Sequence, residues 1–126
     1  MVEIELKNIS KSYGKFNALK NISLHIKDKE YFIILGPTGS GKTTLLKIIS
    51  GLVKPDNGNV LFDDKDVTKM TAGERNIGFM FENYALFPHM NLVNNISYSG
   101  RVNARDPEMT ETLVEQVLMM TLLTGR

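Results

Sequence analysis

Gly36-Pro37-Thr38-Gly39-Ser40-Gly41-Lys42-Thr43-Thr44 fits the phosphate-binding pattern of glycine, four residues, then Gly-Lys-Ser/Thr, without a mismatch. Gly36, Gly39 and Gly41 lack a Cβ, so the backbone is free to take positive φ and turn successive N–H groups toward phosphate oxygens. Lys42 supplies a compact positive charge for the β and γ phosphates. The Thr43 hydroxyl is a candidate Mg²⁺ ligand, and a helix starting here adds its positive dipole end to the same anion site. The chemistry implied is the holding of a nucleoside triphosphate.

Both flanks of the loop suit that reading. Tyr31-Phe32-Ile33-Ile34-Leu35 is an unbroken apolar run and predicts a parallel strand buried on both faces. Leu45, Ile48, Ile49 and Leu52 recur at helical spacing and predict one buried helix face, with Gly51 placed to end the helix.

Upstream, Val2, Ile4 and Leu6 alternate with Glu3, Glu5 and Lys7, the period of a strand with one buried face. Asn8 to Phe16 reads as a turn-rich connection, after which Ile22, Leu24 and Ile26 alternate with polar residues. An antiparallel, hairpin-like β region is therefore expected before the loop. Downstream, Lys54-Pro55-Asp56-Asn57-Gly58 is a turn leading into a strand at Val60-Leu61-Phe62, and residues 63–66 turn the chain again. Ile77, Phe79 and Phe81 alternate with Gly78, Met80 and Glu82 and predict a further strand. Asn91 is placed to cap a short helix over Leu92, Val93 and Ile96. Asp106-Pro107 signals the start of a longer helix that carries Met109, Leu113 and Val117 on one face and runs to about Leu123.

Composition bounds the rest. The 126 residues are 42% hydrophobic and 23% charged with a formal net charge of +1, ordinary for one globular domain and without the basic surplus that nucleic acid would need. With no cysteine, disulfides and cysteine-based zinc sites are excluded. His25 alternates with strand apolars and reads as a solvent-facing residue; His89 has no second ligand at a helpful spacing, so neither is a candidate base or metal ligand. The alternating N-terminus resembles no signal peptide and no apolar run is long enough to span a membrane, so a cytoplasmic protein is expected.

Three features in order, Tyr13, the loop at Gly36 to Thr44, and Phe79-Met80-Phe81-Glu82-Asn83-Tyr84-Ala85-Leu86-Phe87-Pro88-His89, resemble the ATP-binding subunit of an ABC transporter. The importer ATPases of the maltose, spermidine and molybdate or tungstate type are the nearest in pattern. The resemblance implies an α/β P-loop NTPase of the ABC ATPase type, with an N-terminal antiparallel β region and part of a parallel-sheet core. Residues 1–126 would be the N-terminal portion of a single nucleotide-binding domain. It implies ATP and Mg²⁺ as cofactors, with Tyr13 stacked on adenine, the residues from Gly36 to Thr44 around the phosphates, and Thr43 with Glu82 at the metal. A membrane-spanning permease would be met through the Tyr84 to His89 region, and a second ATPase subunit would complete a dimer at the inner face of the membrane.

Departures from the family pattern are informative. Lys29 and Asp64 stand where turn glycines are usual, and Asn94 replaces a common acidic residue. Glu82 occupies the place of the glutamine that names its loop: ionised, it offers oxygen to a metal but donates no hydrogen bond. The Leu-Ser-Gly-Gly-Gln signature, the Walker B aspartate, the catalytic glutamate and the switch histidine expected farther along are absent from the 126 residues. The expectation is thus an importer ATPase subunit represented by its phosphate cradle, binding ATP without turnover. The alternatives are a non-catalytic ATP-binding module and a non-functional remnant.

Overall fold

The computed structural model describes residues 2–103 and 106–121. They form two compact units, Met1–Phe79 and Met80–Arg126.

The first unit is built on a four-stranded antiparallel sheet of order β2-β1-β3-β4. Strand β1 spans Ile4–Tyr13, β2 Phe16–Ile26, β3 Asn57–Phe62 and β4 Lys65–Asp66, with helix α1 at Lys42–Ile49 between β2 and β3. The expected hairpin is present but longer than the alternation suggested. Asn8 to Tyr13, read as a turn-rich connection, is the second half of β1, and Phe16 opens β2; only Gly14 and Lys15 turn the chain. Bulges explain why the pattern misled. Asn8 takes φ 53°, and the buried positions of β1 step from Leu6 to Ile9 rather than to residue 8. Asn21, also at φ 53°, shifts the inward phase of β2 from Leu19 to Ile22 and Leu24. Ser23 Oγ accepts from the Asn8 N–H at 3.0 Å and Ser10 Oγ from the Asn21 N–H at 3.0 Å, so each bulge keeps its backbone donor paired.

Against the sheet, α1 packs Leu45, Ile48 and Ile49 among Leu6, Ile9, Leu19, Val60 and Phe62. Its periodicity correctly named that face, with one exception. Leu52 lies past the helix end and is 44% exposed. Gly51 at φ 79° reverses the chain there: its N–H reaches the Ile48 carbonyl at 3.1 Å, and the Leu52 N–H reaches the Lys47 carbonyl at 3.0 Å, a Schellman ending.

Two strand expectations fail. Tyr31 to Leu35 is irregular, with Tyr31 and Leu35 almost fully exposed and only Ile34 packed against the core. Residues 77–81 are likewise irregular; Ile77 joins the core and Met80 lies in the open. The reason is the same in both. A buried strand needs neighbours to take its N–H and C=O groups, and among the described residues no strand pairs with either run. Just before the second run comes α2, Ala72–Arg75, opened by a Thr71/Glu74 capping box.

The second unit contains α3, Leu92–Val102, and α4, Pro107–Met120. Both predicted caps are in place: Asn91 Oδ1 accepts from the Asn94 N–H at 2.9 Å and Asp106 Oδ1 from the Glu108 N–H at 2.9 Å. The face of α4 that carries Met109, Leu113 and Val117 is not the packed one. Met109, Leu113 and Val117 are exposed, and Val114 is the buried residue, with Thr110 lying against Gly100 of α3. The two helices meet along a different stripe from the one apolarity alone selects, because small residues at Ser97 and Gly100 set where α4 can approach. Leu123, the expected end of α4, lies outside the described residues.

Candidate functional site

The loop Gly36–Thr44 runs into the first turn of α1, and its shape follows from its glycines. Gly39 takes φ 82° and Gly41, the N-cap of α1, φ 92°. A Cβ on Gly41 would stand 2.4 Å from the Ala18 carbonyl oxygen and 2.9 Å from Leu19 Cδ2, so this position sits directly on β2 and admits no side chain. Gly36 does not need positive φ; a Cβ there would instead meet Ser40 Oγ at 2.8 Å across the curl of the loop. The loop closes on itself through the Ser40 N–H, which donates to the Pro37 carbonyl at 3.2 Å.

Lys42 is held inside this curl. Its Nζ donates to the Gly36 carbonyl at 2.7 Å, the Pro37 carbonyl at 2.8 Å and Ser40 Oγ at 3.4 Å. These three acceptors are neutral and set no counter-charge against the ammonium. No acidic residue stands in the first turn of α1, and no side chain caps its N-terminus. The positive end of the helix therefore faces solvent beside a lysine, with the Thr43 side chain exposed next to it. Arrangement and charge both suit an anion with several oxygens, and a curl that a Cβ on Gly36 would crowd fits a polyphosphate approaching close to backbone.

Tyr13 ends β1, pairs with Phe16 across the tight turn and is 49% exposed, with Lys11 Nζ 5.6 Å from its ring centroid. A flat, accessible ring is what base stacking requires. Glu82, Phe87 and His89 belong to the second unit. Glu82 is exposed. The segment after it is bent by left-handed Tyr84 (φ 61°) and Ala85 (φ 47°), which leaves Tyr84 and Leu86 about three-quarters exposed. Phe87 is anchored, 4.5 Å from the Tyr98 ring centroid and 5.9 Å from that of His89. His25 is exposed on β2 and pairs with Glu3, as a solvent-facing strand residue would.

Two organising side chains escaped the sequence reading. Asn95 gathers the loop before α3: its Oδ1 accepts from the Phe87 N–H at 2.9 Å, and its Nδ2 donates to the carbonyls of Phe87, Met90 and Asn91 at 3.2, 3.0 and 3.0 Å. Arg75 is only 6% exposed and binds four carbonyls, two of them in the last turn of α1. Polar residues in polar stretches carry no periodic signal, so nothing in the sequence marked either one for burial.

The comparisons with known proteins agree with this geometry. The ABC transporter family profile matches residues 19–124. A sulfate/thiosulfate import ATP-binding protein CysA from Halalkalibacterium halodurans is 49% identical over 98% of this chain and 36% of its own length. One from Cucumis sativus is 44% identical over 91% of this chain and 33% of its own. Among solved structures, the dimeric post-hydrolysis ATP-binding cassette MJ0796 bound to ADP and Pi is similar with a TM-score of 0.79 and 33% identity, covering 93% of this chain and 56% of that one. The chain thus spans about a third of the length of the curated relatives it matches. With a phosphate loop on the first turn of α1, an antiparallel hairpin before it and cassettes of ABC ATPases as structural neighbours, this P-loop chain belongs to the ABC transporter family.

Proposed function

We propose that the chain carries the ATP-holding part of the energy-coupling subunit of an ABC importer, its two units being portions of one nucleotide-binding domain. The observation that carries this is the loop Gly36–Thr44, whose left-handed glycines, acid-free helix start and inward-held Lys42 form an anion cradle. On binding, the triphosphate replaces the loop's own carbonyls as the partner of Lys42, and the loop N–H groups and α1 dipole take the remaining oxygens. Tyr13 stacks on adenine. The Thr43 hydroxyl in the first unit and the Glu82 carboxylate in the second each carry oxygen of the kind Mg²⁺ takes, and the ion would neutralise phosphate charge when bound. The names of the relatives support import and make a sulfate-type oxyanion the first cargo to assay. The exposed Tyr84 and Leu86 beside anchored Phe87 suit contact with a permease, and a dimeric relative supports pairing with a second ATPase subunit. Such a subunit works at the cytoplasmic face of the membrane; no helix among the described residues is long and apolar enough to cross it.

Calorimetric titration with MgATP tests the reading. Binding that disappears in Lys42→Ala and weakens in Tyr13→Ala is expected, with turnover by the 126 residues at the Lys42→Ala background. A Lys42→Ala variant that binds as tightly as the parent would sink it. At Glu82 the carboxylate keeps metal affinity while loosening the link between nucleotide state and transport, so Glu82→Gln in the assembled transporter raises transport per ATP; unchanged coupling refutes that part.

A further inference from the structure

We infer that Arg75 is a remote positioning residue of the phosphate site, acting through α1 by its buried charge as well as by its hydrogen bonds. This rests on the nucleotide-binding reading above. Nη1 donates to the Ile48 and Ile49 carbonyls at 2.7 and 2.8 Å, Nη2 to Thr68 at 3.2 Å and Nε to Met70 at 3.2 Å. The guanidinium lies 5.9 Å from the Phe62 ring centroid. The close approach requires Gly51, since a Cβ there would stand 2.9 Å from Nε.

What distinguishes Arg75 from an ordinary helix-capping residue is the balance of charge. All four acceptors are neutral carbonyls, and among the described residues no carboxylate lies within ion-pair distance. Burial pushes its pKa down from the ordinary value, while the more distant Asp66 carboxylate opposes that shift; the group stays protonated at neutral pH. A full cation is thus fixed at the negative end of α1, whose positive end is the phosphate cradle. The eight residues of α1 put the two ends only about 12 Å apart. Between the ends, one face of α1, with Leu45, Ile48 and Ile49, is packed in the core, where a charge is screened less than in solvent. Arg75 cancels the unfavourable end of the helix dipole and adds its own attraction for whatever anion sits at Lys42.

The test compares MgATP and ADP affinities in the parent, Arg75→Gln and Arg75→Lys, with folding checked by circular dichroism. Glutamine keeps hydrogen-bond donors without charge; lysine keeps charge with poorer geometry. Removing the charge is expected to weaken binding roughly three- to tenfold, whereas Arg75→Lys, which keeps it, stays within about twofold of the parent. Unchanged affinity in folded Arg75→Gln, or a loss in folded Arg75→Lys as large as in Arg75→Gln, overturns the inference. Should Arg75→Gln not fold, Arg75→Lys decides alone: retained affinity supports the role of charge, and a loss of threefold or more refutes it. A folded parent that does not bind ATP removes the nucleotide reading itself, an outcome visible before any Arg75 variant is made.

Discussion

Val60-Leu61-Phe62 and Tyr31-Phe32-Ile33-Ile34-Leu35 are equally apolar, yet one is a core strand and the other is irregular chain. The first lies in β3 between β1 and β4, with Leu61 opposite both Glu5 and Asp66, and Val60 and Phe62 are buried. The second has no strand beside it among the described residues, and Tyr31 is 89% exposed. Apolar content makes a stretch want burial. Only backbone partners on either side make it a strand, because a buried run of unpaired peptide groups costs more than its side chains return.

The sharpest way to break this comparison is truncation on each side. Phe62→Ala is expected to cost about 3–5 kcal/mol in chemical denaturation, the range for a buried aromatic, while Leu35→Ala stays within about 0.5 kcal/mol. A Leu35→Ala cost near that of Phe62→Ala would mean that the run is paired after all. Amide exchange gives the same contrast without mutation: Val60 and Leu61 should exchange only on unfolding, and Ile33 and Leu35 near the rate of open chain.

The turns next to the two stretches give a smaller effect. β3 leaves through Asp63 and Asp64 at φ 47° and 63°, and the irregular run is entered through Lys29 at φ 62°, positions where glycine avoids the left-handed penalty. Asp64→Gly should raise stability by up to about 1 kcal/mol, because its hairpin folds with the sheet. Lys29→Gly should raise it less, since the run beyond that turn pairs with no strand among the described residues. A larger gain at residue 29 would reverse the comparison.

The smallest effect is with pH. Asp56, just before β3, accepts from Lys11 Nζ at 2.6 Å and the Ser12 N–H at 2.7 Å, tying the strand's entry to β1. The Lys11 hydrogen bond, then that of Ser12, holds its carboxyl below the ordinary value of 3.8. A depressed folded pKa contributes stability that is present above the unfolded value and lost as pH falls through the folded one. Stability should therefore fall below about pH 4, and Asp56→Asn should flatten that decline slightly; the entry to the 31–35 run has no such expectation.

The site and the fold were unequally legible. The phosphate loop needs only local sequence: its glycines, Lys42 and Thr43 are neighbours along the chain, so their geometry follows from spacing. The face of α1 and the caps Asn91 and Asp106 were legible for the same reason. The bulges at Asn8 and Asn21 were not, because a bulge shifts the alternation it should be read from. Nor was the packed stripe of α4, where Val114 is buried and the more regular Met109, Leu113 and Val117 are not.

By itself the sequence determined the loop from Gly36 to Thr44, the helix that it opens and which family the chain resembles, since each rests on residues close together or on a fixed motif order. Tertiary structure alone decided which apolar runs become strands, that Arg75 is buried at the far end of α1 and that Asn95 ties the loop around Phe87. Those outcomes depend on partners many residues away, and whether a backbone group or a charge is satisfied is a property of its neighbours in space.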